Sequence, residues 1–323
     1  MRVLVTGAGG FLGGSLVPAL INDDGIEVFA GFRHTAVSGI PGRHHVYCDF
    51  TIDEVINRLL DELRPDVIVH LGAMSSPGVC EKDMKKAAST NGADVLVRAV
   101  KKYCPDSLVI FSSTDLVYDG EKGLYRADEG LGVGVNPGNA YAKTKRAGEK
   151  AVLSLKNSVV LRLSNMIGKG NGKFLDFLVG ALLERKTIGL RKDEIRSFVS
   201  LSDVVELIRR IILDKKGAFS GETTTRVFNA GGPEPLSRLQ LGQIVARQFG
   251  VRLMVAETKE GRTSEVQDEG VWTVFEQSNR EVVETSGIFN PRDVSMDSSV
   301  TEAFFALRFR SMETAVAEIF KDT

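Results

Sequence analysis

Short apolar runs and amphipathic helical segments alternate along the first half of the chain, and this alternation limits the possible fold more than any other feature. The first run, residues 2–6 (RVLVT), is followed by a glycine-rich turn and then by helical periodicity at residues 11–22. Short apolar runs between turn signals are typical of strands buried on both faces of a sheet. Strands that alternate with helices are joined by right-handed crossovers. The pattern therefore predicts an α/β fold with a doubly wound parallel sheet.

The same reasoning assigns elements along the whole chain. Further strands are predicted at 27–32, 45–48, 66–73, 107–113, 158–164 and 225–232, helices at 51–63, 80–103, 138–155, 173–185, 201–215 and 236–250, and two short helices within 298–321. Residues 256–282 are polar, with Trp272 and Phe275 as candidates for packing. The alternation loosens after residue 165. We therefore predict a sheet domain over residues 1–165, to which the chain returns near 200–232, and a smaller lobe formed mainly by residues 166–323.

Composition and charge argue against several classes of protein. The chain has 41 basic and 42 acidic residues and a net charge of −1, so nothing indicates a nucleic-acid or membrane-surface protein. The odd number of widely spaced cysteines (Cys48, Cys80, Cys104) indicates reduced thiols and a cytoplasmic location, and no residue spacing predicts a metal site. No apolar run predicts a signal peptide or a membrane span, while a removed transit peptide stays open.

The glycine-rich turn predicts a dinucleotide site. Gly7, Gly10 and Gly13 follow the first strand at G-x-x-G-x-x-G spacing and open a helix. Glycine allows the tight turn and lets backbone N–H groups approach a pyrophosphate, which the helix N-terminus also favours. The alternative is a purely structural turn between strand and helix.

The end of the second strand bears on the choice of cofactor. Arg33 lies there, in AGFRH, where an acidic residue would favour NAD. A guanidinium suits the 2′-phosphate of NADP, so we expect NADP, with NAD as the alternative. A solvated loop arginine is the other interpretation of Arg33. Asp49, just after the third strand, is a candidate to accept a hydrogen bond from the adenine amino group, or is a loop acid.

Taken together, these residues resemble the extended short-chain dehydrogenase/reductases, which act mainly on nucleotide sugars. The resemblance covers nearly the whole chain and includes the glycine turn, CDF (48–50), HLGA (70–73), STNGADVLVRA (89–99), FSSTDLVYDG (111–120), NAYAKTKRAGE (139–149), LRLSNMIG (161–168), RSFVSLSDVV (196–205), VFNAGGPEPLS (227–237) and PRDVSMDSS (291–299). GFR, RPDVIVHLGA and YDGEKGLYRADE are most similar to the dTDP-4-dehydrorhamnose reductase branch. That branch also contains the regulatory β subunit of methionine adenosyltransferase.

The resemblance implies a Rossmann sheet, a smaller C-terminal substrate lobe and a set of functional residues. Implied cofactor contacts are Gly7, Gly10, Phe11, Leu12, Gly13, Arg33, Asp49, Phe50, Leu71, Gly72, Ala73, Asn91, Tyr141 and Lys145. Asn91 is also implied to brace the active-site loop. Candidate substrate contacts are Asp115, Asn165, Arg196 and Arg292, of which the two arginines are candidates for a diphosphate. The alternative interpretations are a loop brace for Asp115, a turn residue for Asn165 and solvated charges for the two arginines.

Thr114, Tyr141 and Lys145 are the predicted catalytic group. A phenol with an ordinary pKa near 10 is a poor acid/base at neutral pH unless that pKa is lowered. A lysine four residues later lies on the same helix face and supplies positive charge. Family resemblance implies that the lysine also binds the nicotinamide ribose, and Thr114 would hold the substrate oxygen against Tyr141. A solvent-facing Tyr/Lys pair is the alternative.

Leu116 narrows the reaction. Sugar dehydratases of this family resemble Thr-Asp-Glu here, and an aliphatic side chain cannot abstract a proton. Rhamnose reductases resemble Thr-Asp-Tyr, so the substrate stays open. We expect an NAD(P)-dependent reductase or epimerase that acts on a nucleotide-linked sugar and forms a homodimer. The alternative from another class is a non-catalytic regulatory subunit that binds the cofactor.

Overall fold

The elements of the chain follow the predicted alternation of strands and helices. The computed structural model describes residues 1–34, 36–127, 134–170, 174–214, 226–256, 271–277 and 289–321. The strands are β1 (Arg2–Thr6), β2 (Glu27–Phe32), β3 (His45–Tyr47), β4 (Val67–His70), β5 (Leu108–Thr114), β6 (Tyr125–Arg126), β7 (Ser158–Leu163), β8 (Met166–Ile167), β9 (Ile188–Arg191), β10 (Ile195–Arg196), β11 (Val199–Ser200), β12 (Val227–Ala230), β13 (Leu236–Ser237), β14 (Arg252–Ala256), β15 (Val271–Gln277) and β16 (Met296–Asp297). The helices are α1 (Phe11–Ile21), α2 (Asp53–Leu63), α3 (Pro77–Lys82), α4 (Met84–Asn91), α5 (Asp94–Tyr103), α6 (Ala140–Leu153), α7 (Phe174–Leu183), α8 (Leu201–Leu213), α9 (Arg238–Gln248), α10 (Ser299–Phe304) and α11 (Met312–Ile319).

Seven strands form one parallel sheet in the order β3-β2-β1-β4-β5-β7-β12. The chain winds outward from β1 in both directions, as in a Rossmann fold, and this confirms the predicted fold class. The direction of winding reverses between β1 and β4. Ligands of such sheets bind in the crevice outside the carboxyl ends of the strands at this point.

Both faces of the sheet are buried, which explains why its strands are apolar at successive positions. Side chains of β1 alternate: Val3 and Val5 join a core cluster with α1 and α8, whereas Leu4 joins a second cluster with α2 and α5. Side chains of a strand point alternately to opposite faces, so a sheet covered on both sides needs apolar residues in both registers.

The predicted helix at 80–103 is three helices, α3, α4 and α5. The carboxylate of Asp83 accepts a 2.9 Å hydrogen bond from the N–H of Lys86 and caps the start of α4. Ala93, between α4 and α5, has φ +59°, a left-handed conformation that does not continue a helix. The two breaks place Asn91 at the end of α4, where it is buried against α6.

The second half of the chain builds a separate core around α7, α9 and α11, which includes Leu178, Val245 and Met312. A three-stranded parallel sheet in the order β14-β15-β9 joins this core through Leu190 and Val274. The strand Val271–Gln277 was not predicted, because the polar residues around it conceal its pattern. The backbone of Trp272 and Phe275 belongs to this strand, while their side chains lie outside what the structure describes.

Two later elements return to the central sheet. Strand β12 forms its edge beside β7, and α8 packs on α1. No helix within the described ranges is long and apolar enough to cross a bilayer. Nor do those ranges contain a cluster of three or more side chains suited to hold a metal ion.

Candidate active site

The glycine turn between β1 and α1 packs tightly against the carboxyl end of β4. Gly7 has φ +67°, a left-handed conformation that glycine adopts without steric cost. A Cβ atom on Gly13 would lie 2.5 Å from the carbonyl oxygen of Gly7, and one on Gly7 would lie 2.7 Å from the backbone nitrogen of Gly72. Glycine therefore leaves the backbone of the turn and the start of α1 open to a ligand.

A cavity of about 730 Å³ extends from this turn along the carboxyl edge of the sheet. We call its first part the glycine end; its walls include Gly7, Gly10, Phe11, Leu12, Gly13, Leu71 and Ala73. The predicted catalytic residues Thr114, Tyr141 and Lys145 line the middle of the cavity. We call the opposite part the arginine end; its walls include Phe174, Arg191, Glu194, Arg196 and Arg238. The tertiary structure thus brings the three residues together in one cavity.

Thr114 and Asp115 form a buried pair at the end of β5. The Thr114 hydroxyl donates to Oδ1 of Asp115 at 3.1 Å and accepts from the N–H of Leu116 at 3.2 Å. The Ser164 hydroxyl donates to Oδ2 of Asp115 at 3.1 Å. Burial raises the pKa of the Asp115 carboxyl, against the opposing effect of the Arg196 guanidinium. Asp115 therefore connects Thr114 to the arginine end.

Tyr141 lies in the first turn of α6, and the Thr114 side chain is one of the groups that act on its phenol. Two acceptors fix this end of the helix: the Asn139 side chain accepts from the N–H of Ala142, and a Glu81 carboxylate oxygen accepts from the N–H of Ala140 at 2.7 Å. Burial and the nearby charge of Asp115 raise the pKa of Tyr141 above its usual value. The lowering of the pKa that the spacing to Lys145 predicted is therefore wrong, because the cost of burying the phenolate outweighs it. The phenol is therefore neutral near pH 7.

Lys145 lies one helical turn after Tyr141 and is 1% exposed. Its Nζ is buried without a hydrogen-bond partner and lies 4.0 Å from the centroid of the Phe111 ring. Burial lowers the pKa of Lys145 to about 7, and the charge of Glu149 opposes that shift. A buried amine without a partner is costly, so this nitrogen is suited to donate to a ligand in the cavity.

Several predicted cofactor residues lie behind the cavity wall. A Cβ atom on Gly72 would lie 2.2 Å from the ring of Phe50, so these two residues pack on each other. Asn91 accepts from the N–H of Met74 at 2.9 Å and donates to the Thr144 hydroxyl at 3.0 Å. The asparagine thereby ties the segment after β4 to α6.

Arg33 and Asp49 follow β2 and β3, on the other side of the glycine turn. Their closest charged atoms, Nη1 of Arg33 and Oδ2 of Asp49, are 3.9 Å apart. Oδ1 of Asp49 accepts from the N–H and the hydroxyl of Thr51 at 3.0 and 2.6 Å. Both residues lie outside the cavity wall, at the carboxyl ends of strands that neighbour β1.

The predicted substrate residues separate into two groups. Asn165 and Arg196 line the cavity, and Arg196 is 1% exposed. Nη2 of Arg196 donates to the carbonyl of Pro291 at 3.2 Å, and its Nε lies 3.9 Å from Asp115. Arg292 is exposed and does not line the cavity; its carbonyl oxygen accepts from the N–H of Ile195 at 2.7 Å. The structure therefore does not bring Arg292 to the cavity with Arg196.

Three residues of the arginine end were not predicted from the sequence: Arg191, Glu194 and Arg238. The Glu194 carboxylate is almost fully buried and is paired with Arg191, with Arg196 at 3.3 Å and with Arg238 at 3.0 Å. Against the effect of burial, these arginines lower the pKa of Glu194 to about 2. Three guanidinium groups around one carboxylate leave this end of the cavity positive. RKDEIR and LSR carry no signal for this, because their residues meet only after folding.

The comparisons with known proteins agree with this geometry. The RmlD substrate binding domain family matches residues 1–323. The chain belongs to this family. It is 28% identical to the dTDP-4-dehydrorhamnose reductase of Aggregatibacter actinomycetemcomitans over 215 residues, which are 65% of this chain and 67% of that protein. It is 25% identical to methionine adenosyltransferase 2 subunit beta of Danio rerio over 255 residues, which are 77% of this chain and 74% of that protein.

Solved structures of similar fold extend over the whole RmlD-type chain. The dTDP-4-dehydrorhamnose reductase of Bacillus anthracis, solved in complex with NADP, has a TM-score of 0.77 and 20% identity and covers 100% of this chain and 99% of its own. The hypothetical dTDP-4-dehydrorhamnose reductase of Sulfolobus tokodaii has a TM-score of 0.75 and 26% identity, with coverage of 97% and 98%. The predicted membership of the extended short-chain dehydrogenase/reductases, nearest this branch, is confirmed.

Proposed function

We propose that this RmlD-type chain transfers a hydride from NADPH, or from NADH as the alternative, to a keto group of a nucleotide-linked sugar. The observation that carries the proposal is one cavity with a glycine cradle at one end, a positive cluster at the other and Thr114, Tyr141 and Lys145 between them. Relatives described as dTDP-4-dehydrorhamnose reductases support reduction, and Leu116 argues against dehydration.

The residues at the glycine end fit a dinucleotide. The tight glycine turn leaves backbone N–H groups accessible to a pyrophosphate, and the unpartnered Nζ of Lys145 is suited to donate to ribose hydroxyls. Arg33 would contact the 2′-phosphate of NADP, and Asp49 the adenine. Asn91 and Phe50 would act from behind the wall. The cofactor supplies the hydride when it is bound.

The arginine end fits the anionic part of the substrate. Arg191, Arg196 and Arg238 would donate to a diphosphate, since guanidinium groups bind phosphate oxygens bidentately. Glu194 holds these side chains in place. Asn165 would contact the sugar, and we assign no such contact to Arg292.

The proton for the alkoxide would come from Tyr141. Its raised pKa keeps the phenol protonated, as a donor must be. Thr114 would orient the substrate oxygen toward that phenol. A protonated Lys145 would stabilise the phenolate left after transfer, since an opposite charge nearby favours the ionised form.

The direct test is to mix the protein with NADPH and a panel of dTDP-, UDP- and GDP-linked 4-keto sugars and to follow the nicotinamide absorbance. Oxidation with at least one sugar is expected. Tight cofactor binding without oxidation by any member of the panel would contradict the proposal. An epimerase would instead convert a sugar without net oxidation, which analysis of the products detects.

A regulatory subunit is the second candidate. Similarity to methionine adenosyltransferase 2 subunit beta favours it. Recovery of the chain from cells in a stoichiometric complex, with cofactor binding and no turnover, would favour this candidate over the enzyme.

The organisation of the chain is also proposed. We assign residues 1–165 to the cofactor domain, with the return near 200–232, and residues 166–323 mainly to the substrate lobe, supported by their separate cores. We further propose a cytoplasmic homodimer. Sedimentation of the purified protein at several concentrations tests the oligomeric state.

A further inference from the structure

A second buried charge lies on the helix face that carries Lys145. Glu149 follows Lys145 by one turn of α6, so their side chains lie on the same face. Glu149 is 0% exposed. Its Oε1 accepts from the Ser113 hydroxyl at 2.6 Å and from Nε of Arg162 at 3.0 Å, and its Oε2 accepts from Nη2 of Arg162 at 3.0 Å. Arg146 donates to Oε2 at 2.5 Å.

Arg162 carries these contacts across the sheet. It is 1% exposed on β7, and its Nη1 donates to the hydroxyl of Tyr118 at 3.0 Å. That hydroxyl donates to Oδ1 of Asn229 on β12 at 2.8 Å. The network therefore joins the catalytic helix to β5, immediately before Thr114, and to β7 and β12. Glu149, Arg162, Tyr118 and Asn229 do not line the cavity, so none of them is placed to touch the substrate.

Stability alone does not explain a buried ion pair at this place. Moving two charges out of water costs as much as their attraction returns, and well-packed apolar residues of similar volume often serve as well. What apolar residues cannot supply is a fixed negative charge near Lys145, whose Nζ has no hydrogen-bond partner. In a low-dielectric interior, such a charge acts over the distance of a helical turn.

We propose that Glu149, held by Arg162, is a positioning residue for the catalytic group: it fixes α6 against β5 and β7, and it places a negative charge on the helix face that carries Lys145. The catalytic consequence rests on the proposed function. The charge state of Lys145 does not, and it can be measured without turnover.

Other groups around Lys145 leave Glu149 as the main source of this charge. His70 at the end of β4 stacks on Phe111, and burial lowers its pKa to about 3, so the ring is neutral near pH 7. Asp115 follows β5, and burial raises the pKa of its carboxyl. Tyr141 on α6 is a neutral phenol, and Cys80 on α3 is a buried thiol whose pKa burial raises. The cations Arg146 and Arg162 are both paired with the Glu149 carboxylate.

The experiment is an NMR titration of Lys145 in full-length protein that carries ¹³Cε-labelled lysine. Lys145→Arg identifies the signal. In Glu149→Gln the midpoint of Lys145 falls by about one pH unit, because the negative charge is lost and Arg162 is left unpaired. In Arg162→Met it rises, because the carboxylate loses its main partner. In the double variant Glu149→Gln/Arg162→Met it returns toward the wild-type midpoint. Glu62→Gln, which removes an exposed acid from α2, leaves it unchanged.

Opposite shifts in the two single variants support the proposal, whereas a merely structural role gives no shift or shifts of the same direction and overturns it. If Glu149→Gln does not fold, a rise of the Lys145 midpoint in Arg162→Met that the double variant reverses supports the proposal, and the absence of that rise overturns it. Where a substrate is found, kcat/KM of Glu149→Gln begins to fall at a lower pH than in the wild type. It returns to the wild-type value when the pH is lowered and Lys145 is protonated again. A uniform loss at every pH overturns the catalytic part. If no sugar is turned over, the proposed function fails while the Lys145 titration still decides the inference.

Discussion

The two ends of the cavity are built in different ways. The glycine end is made of backbone, in turns that directly follow the strands β1 and β4, and a side chain at Gly7 or Gly13 would collide with that backbone. The arginine end is made of the long charged side chains of Arg191, Arg196 and Arg238, which the shared carboxylate of Glu194 holds in place. A backbone cradle suits a ligand common to many relatives. Side chains from distant segments can be replaced one at a time, so this end is suited to select the substrate.

The largest expected effect comes from the residue between the two ends. Tyr141→Phe removes the proposed proton donor and retains the ring, so kcat should fall by about 10²- to 10⁴-fold. The dissociation constants for cofactor and substrate should change little, since both ends are intact. Stopped-flow kinetics and fluorescence titration with NADPH measure the two quantities. Turnover near the wild-type rate would mean that another group supplies the proton.

At the arginine end, Arg238→Ala should raise KM for the nucleotide sugar about ten- to hundredfold, because a charge-assisted contact to phosphate is lost. Arg238 also lies 4.3 Å from the centroid of the Phe174 ring, so Arg238→Lys keeps the charge and is the matched control. Steady-state kinetics and NADPH titration are the measurements. An equal loss of cofactor affinity would show that the two ends are not independent.

At the other end, Arg33→Ala should weaken NADP binding about tenfold and leave NAD binding nearly unchanged, because only NADP carries the 2′-phosphate. Calorimetric titration of both cofactors with the wild type and the variant gives the ratio. Equal weakening of the two would refute this role for Arg33 and leave it as a partner of Asp49.

The last expected effect concerns the pH dependence of folding stability. An unfolded lysine titrates near pH 10.4, whereas burial lowers the pKa of Lys145 to about 7. Between these values the unfolded chain binds more protons, so stability rises with pH, by at most about 1.4 kcal/mol per pH unit from this group. Below pH 7 Lys145 is protonated in both the folded and the unfolded state, so it no longer makes the stability depend on pH. Urea denaturation of wild type and Lys145→Met from pH 6 to 9 should show the wild type gaining on the variant; parallel profiles would exclude a lowered pKa.

Patterns within a few residues correctly predicted the strand, turn and helix of the glycine end. Gly7, Gly10 and Gly13 occupy one strand, turn and helix, so their local order already defines the cradle. Tyr141 and Lys145 also lie within one element, α6, so their spacing of four residues already places them on the same helix face. Local patterns failed where a cap or an unusual backbone angle interrupts a helix, as at Asp83 and Ala93. They failed again at Val271–Gln277, where polar neighbours conceal a strand.

The sequence by itself determined the doubly wound sheet, the glycine turn and the pairing of Tyr141 with Lys145, because strand alternation, turn chemistry and helix periodicity act over short distances along the chain. Only the tertiary structure decided that Arg191, Arg196 and Arg238 share Glu194, that Arg292 lies outside the cavity, and that Glu149 is paired with Arg162 behind the catalytic helix. Charge pairing and burial depend on which segments meet in space, and that information is not present in any single stretch of the chain.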